Sequence, residues 1–282
     1  ETAVNLKDAL DNILASTKAL YRGHAIAAVA ALNGHVAEEA LAKIKVQYEV
    51  LPPVLNVRDA MREDAPLLNE ARRTKTLMTG ELSDKPSNIA TYNKFAGGDV
   101  EAAFAEADAV VEREFTTQMV HQGYIEPHNS TANWNSDDTL TIWTSTQGAF
   151  AVRNLTADAL KHPIASIKVV PMEIGGGFGG KLPIYLDPVA ALLSKRSGRP
   201  VKVVMSRTEV FEGSGPTSGV YIKLKAAAKG DRLTAVQATL CYEAGAFPGS
   251  PVGAGSMTML APYNIGAFEL NGYDVVVNKP KV

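Results

Sequence analysis

The stretch with the clearest chemical meaning is the run Gly175–Gly180, five glycines around Phe178, which is followed directly by Lys181. Glycine has no Cβ atom, so its backbone can approach another molecule closely and can adopt positive φ angles. Glycine also loses more conformational entropy on folding than any other residue, which makes such a run costly for a plain connection. The run therefore predicts a loop that faces a ligand.

Two nucleotide-binding motifs partly match the run Gly175–Lys181, which contains G-x-G-x-x-G and most of a phosphate-binding loop. In the phosphate-binding loop a Ser or Thr follows the lysine, but this chain has Leu182. The dinucleotide motif needs an acid about twenty residues later, yet no carboxylate stands between Asp187 and Glu209. Pro183 also keeps a helix from starting at the loop. Both matches are weak, and a nicotinamide-dependent dehydrogenase that uses Gly175–Gly180 is kept as an alternative.

Composition excludes several other classes of protein. A net charge of −2 over 282 residues gives no electrostatic reason to expect nucleic acid or an anionic membrane as a partner. No apolar run is long enough to cross a membrane. The single cysteine, Cys241, excludes an internal disulfide and a cysteine-held metal, and it fits a reducing compartment. The histidines lack metal-binding spacing, so no metal ligand is predicted; they are His24, His35, His121, His128 and His162.

The first third of the chain reads as a small α/β unit followed by a connection. Apolar patterning predicts short strands at Ala19–Tyr21, Ala25–Ala31 and Lys45–Val50, with a helix over Val36–Ile44 that would cover a mixed sheet. Residues 61–93 are polar and lack periodicity, which is typical of a surface linker.

A larger domain follows, in which segregated hairpins alternate with helices, so an α+β fold class is predicted. Helices are predicted from capping residues and core spacing at Val100–Ala109, Gly148–Leu160 and Asp187–Ser197. Strands are predicted at Ala109–Thr116, Thr131–Trp134, Thr139–Thr144, Ser166–Val170, Val201–Met205, Gly219–Ala227 and Leu233–Gly245.

Five motifs in order resemble the molybdenum hydroxylases, the family of xanthine dehydrogenase and aldehyde oxidase. They are Leu20–Ala25, Tyr48–Pro53, Gly123–His128, Thr144–Gly148 and Gly175–Lys181. The resemblance covers nearly the whole chain. It implies that residues 1–62 end a hammerhead domain, that 63–95 are a linker, and that 96–282 form the first half of a molybdopterin-binding domain. Because the chain begins at Glu1 and stops at Val282 after a predicted strand, we expect it to be a piece of a longer protein.

The resemblance also implies a cofactor site. In this family the glycine loop and a glutamine lie against molybdenum held by a pterin, expected here as the cytosine dinucleotide form. Gln147 would then donate a hydrogen bond from its side-chain amide to an oxo ligand, and the backbone at Gly177, Phe178 and Gly179 would approach the cofactor. From its own residues alone, Gln147 could equally be a helix-start glutamine with local bonds.

The chemistry implied is hydroxylation of a C–H bond of an aldehyde or an aromatic heterocycle, with oxygen from water. Electrons would leave through 2Fe-2S clusters and FAD on partner subunits or domains of a cytoplasmic hetero-oligomer. The general-base glutamate of the family comes from a later part of the subunit, so no catalytic residue is predicted in this chain, which alone should be inactive. Leu182 would line the substrate pocket where xanthine-oxidising members have an acid, so xanthine is not the expected substrate. An aldehyde, an aromatic heterocycle, an aromatic acyl thioester and carbon monoxide all stay open.

Two further interpretations complete the predictions. A non-enzymatic binding module whose loop packs against a partner is a second alternative to the oxidoreductase. Glu126 is isolated in the sequence and is interpreted as a satisfied structural acid, while Lys181 is expected to pack or to pair.

Overall fold

A computed structural model describes residues 5–282, which divide into two compact units. One unit combines the residues up to Leu51 with His121–Pro216, and the other combines Pro52–Val120 with Thr217–Val282. The helices of the described chain are α1 (Leu6–Ile13), α2 (Gly34–Ala42), α3 (Val57–Ala60), α4 (Val100–Ala105), α5 (Ala149–Leu160), α6 (Asp187–Ser197), α7 (Arg207–Gly213) and α8 (Val252–Thr258). The strands are β1 (Arg73–Thr76), β2 (Leu82–Pro86), β3 (Ile89–Gly97), β4 (Ala109–Thr117), β5 (Asn129–Trp134), β6 (Leu140–Thr144), β7 (Ile167–Pro171), β8 (Val201–Val204), β9 (Val220–Lys229), β10 (Arg232–Gly245) and β11 (Ala267–Val276).

The unit with the glycine loop is built on a sheet in the order β7-β6-β5-β8. Strands β6 and β7 are parallel, because α5 crosses between them, whereas β5 pairs antiparallel with β6 and β8. Buried apolar side chains of the sheet and of α5 and α6 form one core: Ala132, Leu140, Ile142, Ala157, Ile167, Ala190 and Ala191. Helix α6 begins at Asp187 with Pro188 in its first turn, but the predicted capping role of Asp187 is wrong, because Leu186 is the N-cap residue and no side chain caps the helix.

The other unit is a mixed sheet in the order β2-β1-β3-β11-β10-β9-β4. Strands β9 and β10 form the predicted hairpin around Gly230, which has a φ of +59° that glycine adopts without strain. Phe104 and other apolar residues of α4 pack on the buried alanines Ala227, Ala235 and Ala267. Asp99 accepts a hydrogen bond from the Ala102 amide and caps α4, which ends before the predicted Ala109 because that residue joins β4.

Together these elements confirm the predicted α+β class, but the predicted sheet of the first sixty residues is wrong. Helix α2 forms, with Asn33 accepting the Val36 amide at its N-terminus, yet residues 19–21, 25–31 and 45–50 form no strands. A strand exists only where a second strand completes its hydrogen bonds, and alternation of apolar residues cannot supply that partner. Val50 is accordingly 89% exposed.

The predicted linker is also structured, since it contains β1, β2 and most of β3. Strands β1 and β2 are short, polar and at one side of the sheet, so they lack the alternating apolar pattern by which strands are recognised. The division into hammerhead domain, linker and molybdopterin-binding domain stays a prediction, and residues 1–4 of its first segment lie outside the described residues. Within 5–282, no helix has the length and apolar character needed to span a membrane.

Candidate functional site

The glycine loop follows β7 and folds into tight turns. The backbone turns back where the Gly180 amide donates to the Gly177 carbonyl at 2.8 Å, and the Leu182 amide donates to the Gly179 carbonyl at 3.3 Å. Gly176 and Gly179 have φ of +94° and +88°, values that side chains disfavour. Phe178 also lies in the left-handed region, at +49°, which is a strained position for a non-glycine residue. The loop therefore has a specific backbone conformation that a simple connection between two elements would not require.

Gln147 lies against this loop. Its side-chain oxygen accepts the amides of Gly179 at 3.0 Å and Lys181 at 3.2 Å, while its backbone amide donates to the Lys181 carbonyl at 3.0 Å. Both side-chain contacts come from N–H donors, so the oxygen of the carboxamide faces the loop and the NH₂ group faces away. Gln147 is exposed, and within the described chain that NH₂ group has no protein acceptor. A Cβ atom on Gly177 would lie 2.5 Å from the Gln147 oxygen, so this contact requires glycine.

Three backbone N–H groups of the loop have no hydrogen-bond acceptor within the described part of the chain. The amides of Gly176, Gly177 and Phe178 donate to no group among residues 5–282. Beside them, the place that a Cβ of Gly179 would take is open, with no atom within 4 Å. Successive free amides next to open space are suited to bind an acceptor-rich or anionic ligand.

Glu126 holds the loop in place through hydrogen bonds from four donors. One of its oxygens, Oε2, accepts the Gly175 amide at 2.6 Å, the Lys181 Nζ at 2.7 Å and the Ser145 hydroxyl at 2.7 Å. The other accepts the Asn129 side-chain amide at 3.0 Å. Burial by itself would raise the pKa of Glu126, but the hydrogen bonds from Lys181, Ser145, Gly175 and Asn129 outweigh it and lower the pKa to about 2. Glu126 is therefore a fixed negative charge.

Lys181 is the buried partner of that charge. Its side chain is 0% exposed, and its Nζ also donates to the Ser145 hydroxyl at 2.8 Å and lies 5.1 Å from the centre of the Tyr124 ring. A buried ammonium group needs an opposite charge and hydrogen bonds to be tolerated. The expectation that Lys181 pairs is confirmed, and Glu126 is indeed a satisfied acid.

A second polar network holds the segment that carries Glu126. The Tyr124 hydroxyl lies 2.6 Å from His128 Nε2 and 3.1 Å from the Ser214 hydroxyl, which in turn lies 3.0 Å from His121 Nε2. Burial, then the charge of Lys181, lowers the pKa of His128 to about 4, so this ring is neutral near pH 7 and can share only one hydrogen with the Tyr124 hydroxyl. Arg207 donates to the carbonyls of Tyr124, at 2.9 Å, and Ile125.

A polar cavity of about 10 Å³ lies behind the loop, with room for one water molecule. Lys181, His128 and Asp187 contribute to its wall. Asp187 is buried, and burial raises the pKa of its carboxyl group more than the neighbouring hydroxyls of Thr144 and Ser130 lower it.

The structure thus brings together the predicted residues Gln147, Gly177, Phe178 and Gly179. Phe178 and Leu182 lie on the open side, 74% and 53% exposed. Sequence reasoning did not find the network of Glu126, because three of its four partners, Ser145, Gly175 and Lys181, are 19, 49 and 55 residues away along the chain. The position of the glutamate inside the motif Gly123–His128 was the only signal available.

The dinucleotide interpretation fails on the same geometry. A pyrophosphate binds at a helix N-terminus that directly follows the glycines. Here α6 begins at Asp187, six residues beyond Lys181, and the intervening residues form turns. The Gln147 NH₂ group, the loop amides without an acceptor among residues 5–282 and the open space at Gly179 instead suit a ligand that carries hydrogen-bond acceptors.

Comparison with known proteins agrees with this fit. Residues 82–282 match the family model described as the molybdopterin cofactor-binding domain. The chain is 30% identical over 262 residues to the nicotinate dehydrogenase large molybdopterin subunit of Eubacterium barkeri, covering 92% of the chain and 58% of that protein. It is 30% identical over 241 residues to the carbon monoxide dehydrogenase large chain of Afipia carboxidovorans, covering 83% of the chain and 29% of that protein.

Among solved structures, quinoline 2-oxidoreductase from Pseudomonas putida 86 superposes with a TM-score of 0.78 at 26% identity, covering 88% of the chain and 31% of that structure. The chain thus spans at most 58% of the length of these relatives. The family match covers well over half of the chain, and the relatives include a large molybdopterin subunit. This chain belongs to the molybdenum hydroxylase family, and its residues 82–282 are a molybdopterin cofactor-binding domain.

Proposed function

We propose that this chain binds a molybdenum–molybdopterin cofactor through Gln147 and the backbone of Gly177, Phe178 and Gly179, as part of an oxidoreductase that hydroxylates an aromatic nitrogen heterocycle or an aldehyde. The observation that carries the proposal is the Gln147 carboxamide, whose oxygen is held by the loop while its NH₂ group stays available. When bound, the cofactor supplies oxidation of a C–H bond with oxygen derived from water.

The residues of this chain have the task of binding and orienting. Gln147 donates to an acceptor on the cofactor without competing as a charged ligand. The amides of Gly176, Gly177 and Phe178 offer further donors, and Glu126 with Lys181 keeps the loop in place. No catalytic acid or base is assigned within residues 5–282.

Leu182 and Phe178 are exposed apolar side chains at the loop, and we assign Leu182 to the wall of the substrate pocket. Leucine cannot hydrogen-bond a purine edge, which disfavours xanthine. Nicotinate and quinoline, named for two of the relatives, are nitrogen heterocycles with one or two rings. A substrate of that class, or an aldehyde, fits an apolar wall.

The cytosine dinucleotide form of the cofactor, 2Fe-2S clusters and FAD on partner subunits, and a cytoplasmic location complete the proposal. Support for partners comes from the relatives that are named as a large subunit or a large chain. Support for a reducing compartment comes from the single, buried Cys241.

The test is elemental and kinetic. The complete enzyme, expressed in a host that makes the cofactor, should contain close to one molybdenum per chain and should oxidise nicotinate, quinoline or benzaldehyde faster than xanthine. Absence of molybdenum would refute the cofactor assignment. Preference for xanthine would refute only the assignment of Leu182.

A further inference from the structure

We infer that Glu126 is a positioning residue that clamps both ends of the glycine loop and thereby fixes the carboxamide of Gln147. This inference rests on the proposed function for its consequence, the retention of the cofactor. Its structural half, the immobilisation of the loop, can be tested on the protein without any cofactor.

A single oxygen of Glu126 reaches both ends of the loop. Oε2 accepts the amide of Gly175, the first loop residue, at 2.6 Å and the ammonium of Lys181, the residue after the last glycine, at 2.7 Å. A Cβ atom on Gly175 would lie 2.6 Å from the Cβ of Glu126, so the close approach depends on glycine at that end. The loop is therefore tied at its two ends to one atom.

Lys181 transmits this clamp to Gln147. Its side chain donates to Glu126, its backbone amide donates to the Gln147 side-chain oxygen at 3.2 Å, and its carbonyl accepts the Gln147 backbone amide at 3.0 Å. A displacement of the Lys181 side chain would therefore also move the backbone that orients the carboxamide. Gly179, whose amide donates to the same side-chain oxygen at 3.0 Å, lies between the two clamped ends.

Apart from Glu126, the loop is held by two turn hydrogen bonds of its own and by the hydrogen bonds of Gly179 and Lys181 to Gln147. Five glycines leave the unclamped backbone many conformations, and fixing each residue costs conformational entropy. The amides of Gly176, Gly177 and Phe178 make no bond within the described chain, so they do not hold the loop in shape. If the donors that face a ligand are already ordered before binding, the entropy cost of ordering them does not reduce the binding affinity.

The charge of Glu126 is essential to this role. A carboxylate offers about four lone-pair positions and can accept Gly175, Lys181, Ser145 and Asn129 together. A glutamine at this position would replace one acceptor by a donor and would leave the buried ammonium of Lys181 without a counter-charge. Arg207 supports the segment that carries Glu126, because it donates to the carbonyls of Tyr124 and Ile125, the two residues before the glutamate.

The test is amide hydrogen exchange resolved by mass spectrometry on the chain without cofactor. In Glu126→Gln we expect the amides of Gly179 and Lys181 to exchange at least tenfold faster than in the wild type. Glu173→Gln is the matched control, since Glu173 is an exposed acid two residues before the loop, and we expect it to exchange as the wild type does.

The double variant Glu126→Gln/Lys181→Met separates positioning from stability. Removing the buried ammonium together with its counter-charge should restore much of the unfolding midpoint lost in Glu126→Gln, while the amides of Gly179 and Lys181 remain fast. If protection at these amides instead returns with stability, or was never lost, Glu126 does not position the loop and the inference is wrong.

The consequence for the cofactor is measured separately in the complete enzyme. Glu126→Gln and the double variant should lose molybdenum at least tenfold faster during dialysis than the wild type and Glu173→Gln. Absence of molybdenum from the wild type would refute the proposed function. The hydrogen-exchange result would still show whether Glu126 immobilises the loop. Fast loop exchange with normal molybdenum retention would refute the link between the clamp and the cofactor.

Discussion

Replacing Gly177 by alanine is the sharpest test of the contact between the loop and Gln147. Gly177 does not have a positive φ, so alanine is compatible with its backbone. The added Cβ would lie 2.5 Å from the Gln147 oxygen and 2.7 Å from its Cδ, well inside contact distance. Gln147 is exposed and flexible, so its side chain will move away while the buried backbone of Gly177 stays in place.

The cost of that movement can be worked out from the bonds that are lost. The carboxamide gives up two hydrogen bonds, from Gly179 and Lys181, and each contributes about 0.5–1.5 kcal/mol. We expect Gly177→Ala to lower the unfolding free energy by about 1–3 kcal/mol. Loss of a donor to a charged cofactor group costs about 1.5–3 kcal/mol, which is roughly a 10- to 150-fold weaker hold on the cofactor.

The assay is urea unfolding of the full chain together with molybdenum retention of the complete enzyme during dialysis. The control is a double-mutant cycle with Gln147→Ala, because removing the side chain removes the clash. In the double variant Gly177→Ala should add nothing beyond Gln147→Ala. Additive losses, or a Gly177→Ala enzyme that keeps its molybdenum like the wild type, would refute the reasoning.

Three further changes test other parts of the site. Gln147→Glu keeps an acceptor for the amides of Gly179 and Lys181 but loses the NH₂ donor of the carboxamide. Thermal stability should therefore change little, while molybdenum retention during dialysis should fall at least tenfold. Retention equal to that of the wild type would contradict a donor role for Gln147. Burial raises the pKa of Asp187, so the contribution of this carboxyl group to the unfolding free energy is present below the unfolded pKa near 3.9 and is lost as pH rises. Asp187→Asn should therefore raise the free energy of urea unfolding by about 1–3 kcal/mol at pH 8 and by much less at pH 4.5. An equal gain at both pH values would contradict this. The pKa of His128 is lowered to about 4, so the unfolded chain takes up a proton at this residue at a higher pH than the folded chain does. The unfolding free energy should therefore fall by about 3 kcal/mol between pH 6.5 and 4. Urea unfolding of His128→Gln should show a smaller fall over this range, and an unchanged pH dependence would assign the effect to other groups.

Local signals in the sequence were enough for several elements. Helix α6 was predicted from Asp187 to Ser197 and has these bounds, because proline in the first turn and glycine after the last one act within the segment itself. The hairpin of β9 and β10 around Gly230 follows from a turn between two alternating runs. That the glycine loop faces a ligand stays a prediction from composition, since the conformational cost of five glycines is a property of the run itself.

Strand pairing was decided only by the tertiary structure. Residues 25–31 carry a strand-like pattern and form no strand, whereas Arg73–Thr76 lacks the pattern and forms β1 between β2 and β3. The difference is the presence of a neighbouring strand, because backbone hydrogen bonds between strands join residues that are distant in the chain. No window of the sequence contains that information.

The same division holds at the site. The sequence by itself determined which residues could serve: a glycine run that can approach a ligand, and a glutamine that can donate without charge. Only the tertiary structure decided that Ser145, Gly175 and the ammonium of Lys181 meet around one carboxylate oxygen of Glu126. Their residue types fit many surface roles, and the physical reason that they act together is the burial of one charge, which has to find its partners in space.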